Sequence, residues 1–200
     1  MSPSEPKNTV NHGVPKWVWG VYLLAILIVS ARNLMLPWGD LFSDGGFYSH
    51  YNNYIIFKQS FYHLIAQKDL YVHYPQEQYD LFKYPPTFAL LFAPFSVLPD
   101  VLGYPLWTGI NLLLPVVAIH QLQGLSQRGK AMFSILLLLE GITSALNSQS
   151  NGLMLGLLLL HWWPCNSNRT TKPSCLSGLR RLLNCLACYF LHSSCFFPRP

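Results

Sequence analysis

Four aspartates, Asp40, Asp44, Asp69 and Asp80, stand in one long polar stretch of the sequence that is rich in tyrosine and phenylalanine. A carboxylate can act as a general base that accepts the proton of an attacking hydroxyl group. Aromatic side chains beside it can stack on sugar rings or on isoprenoid chains. Together these residue types predict group transfer to a hydroxyl acceptor. For each single aspartate, the alternative is a solvated loop residue or a helix cap.

The signatures of common soluble enzymes are missing from the sequence. It has no glycine-rich nucleotide loop, no H-E-x-x-H zinc site and no G-x-S-x-G nucleophile. All five cysteines follow residue 164, and Cys185-x-x-Cys188 is half of a zinc site without a second half. We therefore expect no metal and no cofactor. Glu140, inside the apolar run of residues 135–142, is costly in lipid unless it faces protein, and its role is structural, catalytic or that of a boundary residue.

The composition excludes several classes of protein. The chain of 200 residues is 51% hydrophobic and only 10% charged, whereas average globular chains carry about 25% charged residues. The aromatic and aliphatic content excludes a disordered chain. The net charge of +5 is scattered without a basic cluster, which argues against a nucleic-acid partner. The composition thus indicates an integral membrane protein.

The first apolar run covers residues 17–31, with Lys16 before it and Arg32 after it. With the next few residues it approaches the ~20 residues that span a bilayer, which predicts a retained first transmembrane helix. A cleaved signal peptide ahead of a secreted soluble protein is the alternative. Residues 1–16 are interpreted as a disordered segment, and Lys7 favours a cytoplasmic position for it.

A long connection, residues 38–83, follows this run. Within it, apolar residues recur at three- and four-residue spacing, which predicts an amphipathic helix lying in the membrane interface. Its apolar face consists of Tyr51, Tyr54, Ile55, Phe57, Phe61, Tyr62, Leu64 and Ile65. Its polar face consists of Asn52, Asn53, Lys58, Gln59 and His63. A buried helix of a soluble domain is the alternative.

Four further apolar blocks follow, at residues 83–99, 105–119, 131–139 and 153–160. Pro94 and Pro115 predict broken helices whose freed backbone groups are satisfied by neighbouring packing. The basic residues of the connection at 121–130 favour a cytoplasmic position for it. If every apolar block before it crosses the membrane, however, the connection lies on the extracytoplasmic side. The predicted fold class is all-α: a multi-pass transmembrane helical protein with a long first extracytoplasmic loop that contains an amphipathic interfacial helix.

Several short segments occur in an order that is typical of one family. They are Asp69-Leu70-Tyr71, KYPPTFALLFAPFSVLP, Leu106-Trp107 with Asn111, and Gln149-Ser150-Asn151-Gly152 ahead of another apolar run. In this order they resemble glycosyltransferase family 87. The recurring text of that family is G-x-x-LY, then YPP-x-x-ALLFAPL-x-x-LP, then W-x-x-LN, then GQ-x-N. The resemblance covers roughly residues 17–160.

The resemblance implies a multi-pass enzyme of the C-type glycosyltransferase fold in the bacterial inner membrane. Family members include mycobacterial polyprenol-phosphate-mannose-dependent mannosyltransferases. The implied reaction is therefore hexosyl or mannosyl transfer, with inversion, from a polyprenyl-phosphate sugar to an extracytoplasmic lipid or glycan acceptor. Membrane lipids are the other implied partners, and neither a nucleotide sugar nor a cofactor takes part.

The resemblance also implies a catalytic base. Family members are similar in using an aspartate of the first extracytoplasmic loop, a few residues before a tyrosine that opens the loop helix. Four residues before Tyr51 stands Phe47, which is not an acid. The nearest acid, Asp44, is therefore the implied base, and Asp40 is the second candidate.

Substrate-binding residues are implied in two other motif segments. Lys83 and Tyr84 would face the phosphate of the donor, and Gln149 and Asn151 would line the site near the membrane plane. For Gln149 and Asn151, helix packing is an alternative explanation.

The last part of the chain differs in composition from the rest, with all five cysteines and no acidic residue after residue 160. We interpret residues 161–200 as an out-of-frame or non-native tail, with a basic cytosolic tail as the alternative. Residues 17–160 are then the N-terminal part of a membrane glycosyltransferase domain. Such a fragment would insert into the membrane yet be inactive. The alternative function is a small non-catalytic multi-pass membrane protein, such as a transporter subunit or an assembly factor.

Overall fold

The computed structural model describes residues 13–36, 39–40 and 47–165. Its elements are α1 (Lys16–Met35), β1 (Gly39–Asp40), β2 (Phe47–Tyr48), α2 (Asn52–Ile65), α3 (Pro86–Leu91), α4 (Ala93–Ser96), α5 (Asp100–Gln121), α6 (Gln127–Leu146) and α7 (Asn151–Cys165). The two strands form a two-residue antiparallel ladder. All other regular structure in the described ranges is helical, which confirms the all-α prediction. The predictions for residues 1–12, for Asp44 and for residues 166–200 lie outside the described residues.

Three helices are long and apolar enough to cross a membrane, namely α1, α5 and α6. At about 1.5 Å of rise per residue, a helix of ~20 residues extends over about 30 Å, which is the thickness of the hydrocarbon core. α1 confirms the predicted first helix, which continues past the apolar run to Met35. The fourth helix of the bundle, α7, has 15 residues. The chain is therefore a multi-pass membrane protein.

The helices of the bundle alternate in direction between two ends. At one end, the backbone N–H of Val14 donates to Nδ1 of His120 over 3.1 Å. At the other end, Nδ2 of Asn33 donates to the carbonyl oxygen of Leu146 over 2.9 Å. We call this second end the loop end, because it also carries α2, α3 and α4. Residues 121–126 therefore lie at the same end of the bundle as Val14, which comes just before α1.

This arrangement shows which connections share an end of the bundle, a point that the sequence left open. Residues 83–99 do not cross the membrane, because they form the two short helices α3 and α4 and then lead directly into α5. The prediction that every apolar block crosses the membrane therefore gave one crossing too many before residues 121–130. The predicted break at Pro94 is confirmed, since α3 ends at Leu91 and α4 begins at Ala93.

The predicted break at Pro115 is wrong, because α5 continues through both Pro105 and Pro115. Proline has no N–H, so Pro115 leaves the carbonyl of Asn111 without its donor inside the helix. The structure places Gly152 of α7 directly against that carbonyl oxygen. The freed backbone group thus lies at a helix contact, where Cα–H groups can approach it, and α5 tolerates the proline.

An aromatic cluster joins α2 to α3, α4 and α5. Phe57 of α2 meets Phe88 edge-to-face with ring centroids 4.9 Å apart, and Phe92 meets Trp107 in the same way at 5.0 Å. The hydroxyl of Tyr54 donates to the carbonyl oxygen of Phe95 over 3.1 Å. Its pKa is raised, mainly because the ring is buried and secondly because the carboxylate of Asp100 is near. Such rings gain stability beyond the area that they bury. The cluster fixes the loop elements on top of the membrane-crossing helices.

Helix α2 is packed against protein along most of its surface. The side chains of Tyr54, Ile55, Ile56 and Phe61 are buried, while Ile65 remains 64% exposed. His63 differs from its predicted position on the polar face, since it is buried and its Nε2 lies 2.8 Å from Oε2 of Glu77. The contact of α2 with the membrane interface stays a prediction.

Candidate functional site

The connection between α6 and α7, residues 147–150, is held by side chains from several elements. Four consecutive carbonyls, the last two of α6 and the first two of the connection, accept hydrogen bonds from Tyr104, Asn33, Asn53 and Trp107, in that order along residues 145–148. The donors belong to α5, α1, α2 and α5. The last four carbonyls of a helix lack i+4 partners inside the helix, and the side chains of Tyr104 and Asn33 donate to two of them, those of Ala145 and Leu146. The connection is thereby fixed relative to the rest of the bundle.

Asn33 is hydrogen-bonded to two further side chains. It is fully buried, and its Nδ2 also donates to Oη of Tyr104 over 2.7 Å. On the other side, Nη1 of Arg32 donates to Oδ1 of Asn33 over 2.7 Å. The guanidinium of Arg32 is therefore a fixed positive charge at the loop end, on an exposed residue.

The start of α7 is fixed against α5. Oδ1 of Asn111 accepts from the backbone N–H of Leu153 over 3.0 Å, and Nδ2 of the same residue donates to the carbonyl of Trp107 over 3.0 Å. An amide oxygen on an N–H of the first turn acts as a helix cap supplied by another helix. A Cβ atom at Gly152 would overlap the carbonyl oxygen of Asn111. Only glycine allows this close approach of the two backbones.

Two predicted site segments meet at this connection. Oγ of Ser150 donates to Oη of Tyr84 over 3.1 Å, across 66 positions of sequence. Tyr84 itself stacks on Phe88 with ring centroids 4.5 Å apart. The KYPP segment and the segment of residues 149–152 are therefore neighbours at the loop end. Ser150 is a residue that the sequence reasoning did not select, and its position between Gln149 and Asn151 was the available signal.

The other predicted binding residues have partners of their own. Nδ2 of Asn151 donates to Oε1 of Gln149 over 2.8 Å, and Asn151 is exposed. Nζ of Lys83 lies 2.7 Å from Oδ2 of Asp80, and both side chains are about half exposed or more. The pKa of Asp80 is lowered overall. Partial burial acts to raise this pKa, but the hydrogen bonds from Lys83 and from the backbone N–H of Leu81, together with the charge of Lys83, outweigh that effect. An anionic ligand at Lys83 would compete with this carboxylate.

The two predicted base candidates are only partly within the described structure. The backbone of Asp40 pairs with Phe47 in the ladder of β1 and β2, and Asp44 lies outside the described residues. In the part of the chain that the structure describes, no group of three or more His, Cys, Asp or Glu side chains is arranged to hold a metal ion.

A family model described as glycosyltransferase family 87 matches residues 82–191. The chain belongs to glycosyltransferase family 87. The match includes Lys83, Tyr84 and the connection between α6 and α7, which are the segments that meet at the loop end. It also extends over residues 161–191, which the composition singled out as a possible out-of-frame stretch. No curated protein matches the chain, and no solved structure matches it either.

One residue after α2 has a backbone conformation that side chains rarely adopt. Gln67 has a φ of 55°. The residue follows the end of α2, and its left-handed conformation favours glycine. Gln67 therefore adopts a backbone conformation that costs a side-chain-bearing residue free energy.

We expect Gln67→Gly to raise the free energy of unfolding by about 1 kcal/mol, because glycine adopts positive φ without steric cost. The measurement is thermal unfolding in detergent followed by circular dichroism. The control is Ala66→Gly, one position earlier with φ of −76°, where added chain flexibility should destabilise the protein. Equal effects of the two substitutions would contradict the account of residue 67.

Proposed function

We propose that this membrane glycosyltransferase transfers a hexosyl unit, with mannosyl as the leading case, from a polyprenyl-phosphate sugar to an extracytoplasmic lipid or glycan acceptor. The contact between Tyr84 and Ser150 carries the proposal. It brings together two segments that are polar, lie at the end of the membrane-crossing helices, and are fixed by packing. A donor with a lipid tail and a polar head needs a site of this kind, at the boundary of the bilayer and the aqueous phase.

The proposed reaction is a single displacement with inversion. The acceptor hydroxyl attacks the anomeric carbon of the sugar, the glycosyl–phosphate bond breaks, and polyprenyl phosphate leaves with the bonding electrons. Asp44 accepts the hydroxyl proton as general base, and Asp40 is the second candidate for that role. No nucleotide, metal or covalent sugar–enzyme intermediate is required for this step.

Binding roles are proposed for the residues around the connection between α6 and α7. Lys83 would move from Asp80 to the donor phosphate, since that phosphate gains a second negative charge as the glycosyl–phosphate bond breaks. Tyr84 would donate to a phosphate or sugar oxygen, and Gln149 and Asn151 would bind sugar hydroxyls with their amides. Arg32, which the sequence reasoning did not select, adds a fixed positive charge at the same end.

The proposed sidedness follows from basic residues at the other end of the bundle. Among the short connections, those with Lys16, Arg128 and Lys130 belong to the end opposite the loop end, and residues 147–150 at the loop end have no lysine or arginine. Lys58, Lys68 and Lys83 lie in the long connection between α1 and α5, which counts little toward orientation. Short cytoplasmic segments of membrane proteins are enriched in these residues. The loop end would therefore face the extracytoplasmic side, with the bacterial inner membrane as the proposed location.

The test is a comparison of donors in detergent, on the protein in the reading frame that its DNA across codons 155–200 establishes. We expect transfer of labelled sugar from a polyprenyl-phosphate sugar and none from a nucleotide sugar of the same hexose. Transfer from the nucleotide sugar alone would contradict the proposal. A protein that binds neither donor would favour the alternative of a non-catalytic multi-pass membrane protein.

A further inference from the structure

Three rings from separate parts of the connection between α1 and α5 meet at the loop end. Tyr48 belongs to β2 and Tyr79 to the segment after α2, yet their ring centroids are 6.0 Å apart with the ring planes at 85°. His50 adds a third ring, edge-on to Tyr48 at 5.8 Å. We call these three residues the ring platform. Protein covers its rings only in part, since Tyr79 is 38% exposed and the other two are half-buried.

Backbone hydrogen bonds hold the ring platform in place. The backbone N–H of Tyr79 donates to Oδ1 of Asn52 over 3.1 Å. The carbonyl oxygen of His50 accepts from Nδ2 of the buried Asn33 over 3.2 Å, and the backbone of Tyr48 is paired in the ladder of the two strands. Rings that are already fixed in position lose little conformational freedom when a ligand binds to them.

The ring platform lies next to the segments to which the proposed function assigns the reaction. Asn52 holds the platform, and the next residue of α2, Asn53, donates from Nδ2 to the carbonyl oxygen of Asn147 over 2.8 Å. Consecutive residues of α2 therefore contact the platform and the connection between α6 and α7. The strand that carries Tyr48 pairs with β1, and the sequence between these two strands contains Asp44. A ligand on the platform would thus be close to the proposed donor site.

We propose that the ring platform binds a pyranose ring of the acceptor, an inference that rests on the proposed function and narrows its acceptor to a glycan. The C–H face of a pyranose stacks on an aromatic ring, and the hydroxyl groups around it need donors and acceptors. Polar groups at the platform are Oη of Tyr48, the imidazole of His50 and Nδ2 of Asn52. None of them is hydrogen-bonded within the described residues. An isoprenoid chain would cover these polar groups without offering them partners.

The first test measures sugar binding in the absence of a donor. The full chain, in the reading frame that its DNA across codons 155–200 establishes, is held in a detergent without a sugar headgroup. NMR saturation is transferred from its aromatic protons to disaccharides of mannose, glucose or galactose. We expect transfer to the C–H protons of at least one disaccharide and none to mannitol, which has hydroxyl groups but no ring. An equal signal from mannitol, no signal from any disaccharide, or displacement of the sugar by geranyl phosphate would overturn the proposal.

Substitutions of Tyr79 locate the sugar. Tyr79→Leu removes the ring and should weaken disaccharide binding about tenfold, the scale of an aromatic contact. Tyr79→Phe keeps the ring and should bind like the wild type. The matched control is Tyr62→Leu, because Tyr62 has a similar exposure of 42% but donates to the carbonyl oxygen of Ser96 in α4. Equal weakening by the two leucine variants, or unchanged binding by Tyr79→Leu, would contradict a sugar on the platform.

Transfer kinetics separate this inference from the proposed function. With a polyprenyl-phosphate sugar as the donor and the bound disaccharide as the acceptor, Tyr79→Leu should raise the KM of the acceptor about tenfold and leave the KM of the donor unchanged. Transfer with an acceptor KM that Tyr79→Leu does not change would overturn the inference while the proposed function stands. Disaccharide binding that needs Tyr79, without transfer by the wild type, would contradict the proposed function and leave the sugar site in place.

Discussion

Gly152→Ala is expected to lower the free energy of unfolding by about 1–3 kcal/mol, the usual cost of inserting atoms into a packed contact. The added Cβ would overlap the carbonyl oxygen of Asn111, which is backbone and cannot swing aside. To relieve this overlap, α7 has to move away from α5. That movement would break the hydrogen bond from Leu153 to Asn111 and displace the connection that carries Ser150.

The matched control is Gly109→Ala, in the middle of α5, where an added Cβ meets no atom within 4 Å. Alanine exceeds glycine in helix propensity by about 1 kcal/mol, so this control should be neutral or stabilising. The measurement is the thermal unfolding midpoint of each variant in the same detergent. If Gly152→Ala has the same unfolding midpoint as the wild type, the close contact between α7 and Asn111 is wrong.

The sequence was sufficient to predict the elements that depend on local pattern. The apolar run after Lys16 became α1, and the proline at position 94 broke the helix as expected. Both signals are properties of a few neighbouring residues, namely continuous apolarity and a missing backbone donor. The three- and four-residue spacing after Tyr51 likewise predicted a helix, which is α2.

The sequence was insufficient where the partner of a group lies far along the chain. Pro115 looks like a helix break until Gly152 is known to cover the carbonyl that it frees. The crossing count depended on whether residues 83–99 turn back, and the aromatic contacts of Phe57 with Phe88 help to decide that they do. No local pattern contains these contacts.

The candidate site shows the same division. Tyr84, Gln149 and Asn151 were selected from motif text, and the structure brings the segments that contain them together through Ser150. The side chains that hold the connection in place are Asn33, Asn53, Tyr104 and Trp107. They come from three helices and were not assigned a role in the site, because each donates to a carbonyl that could not be known in advance.

Asp44→Asn is expected to reduce the kcat of sugar transfer by about 10²–10⁴, the usual contribution of a general base. Asparagine has nearly the same shape as aspartate but cannot accept the hydroxyl proton. Membrane insertion and the unfolding midpoint should stay as in the wild type. The matched control is Asp69→Asn, another aspartate of the same loop, which is exposed and accepts from the backbone N–H of Tyr71. Asp40→Asn tests the second candidate in the same way.

The initial rate of transfer from a polyprenyl-phosphate sugar to an acceptor tests the central claim most directly. It is measured side by side for the wild type in the reading frame that its DNA across codons 155–200 establishes, and for Asp44→Asn and Asp69→Asn in that same frame, in vesicles with the loop end facing the added acceptor. The account predicts transfer by the wild type and by Asp69→Asn, and almost none by Asp44→Asn. Equal rates for all three proteins, or no transfer by any of them, would contradict it.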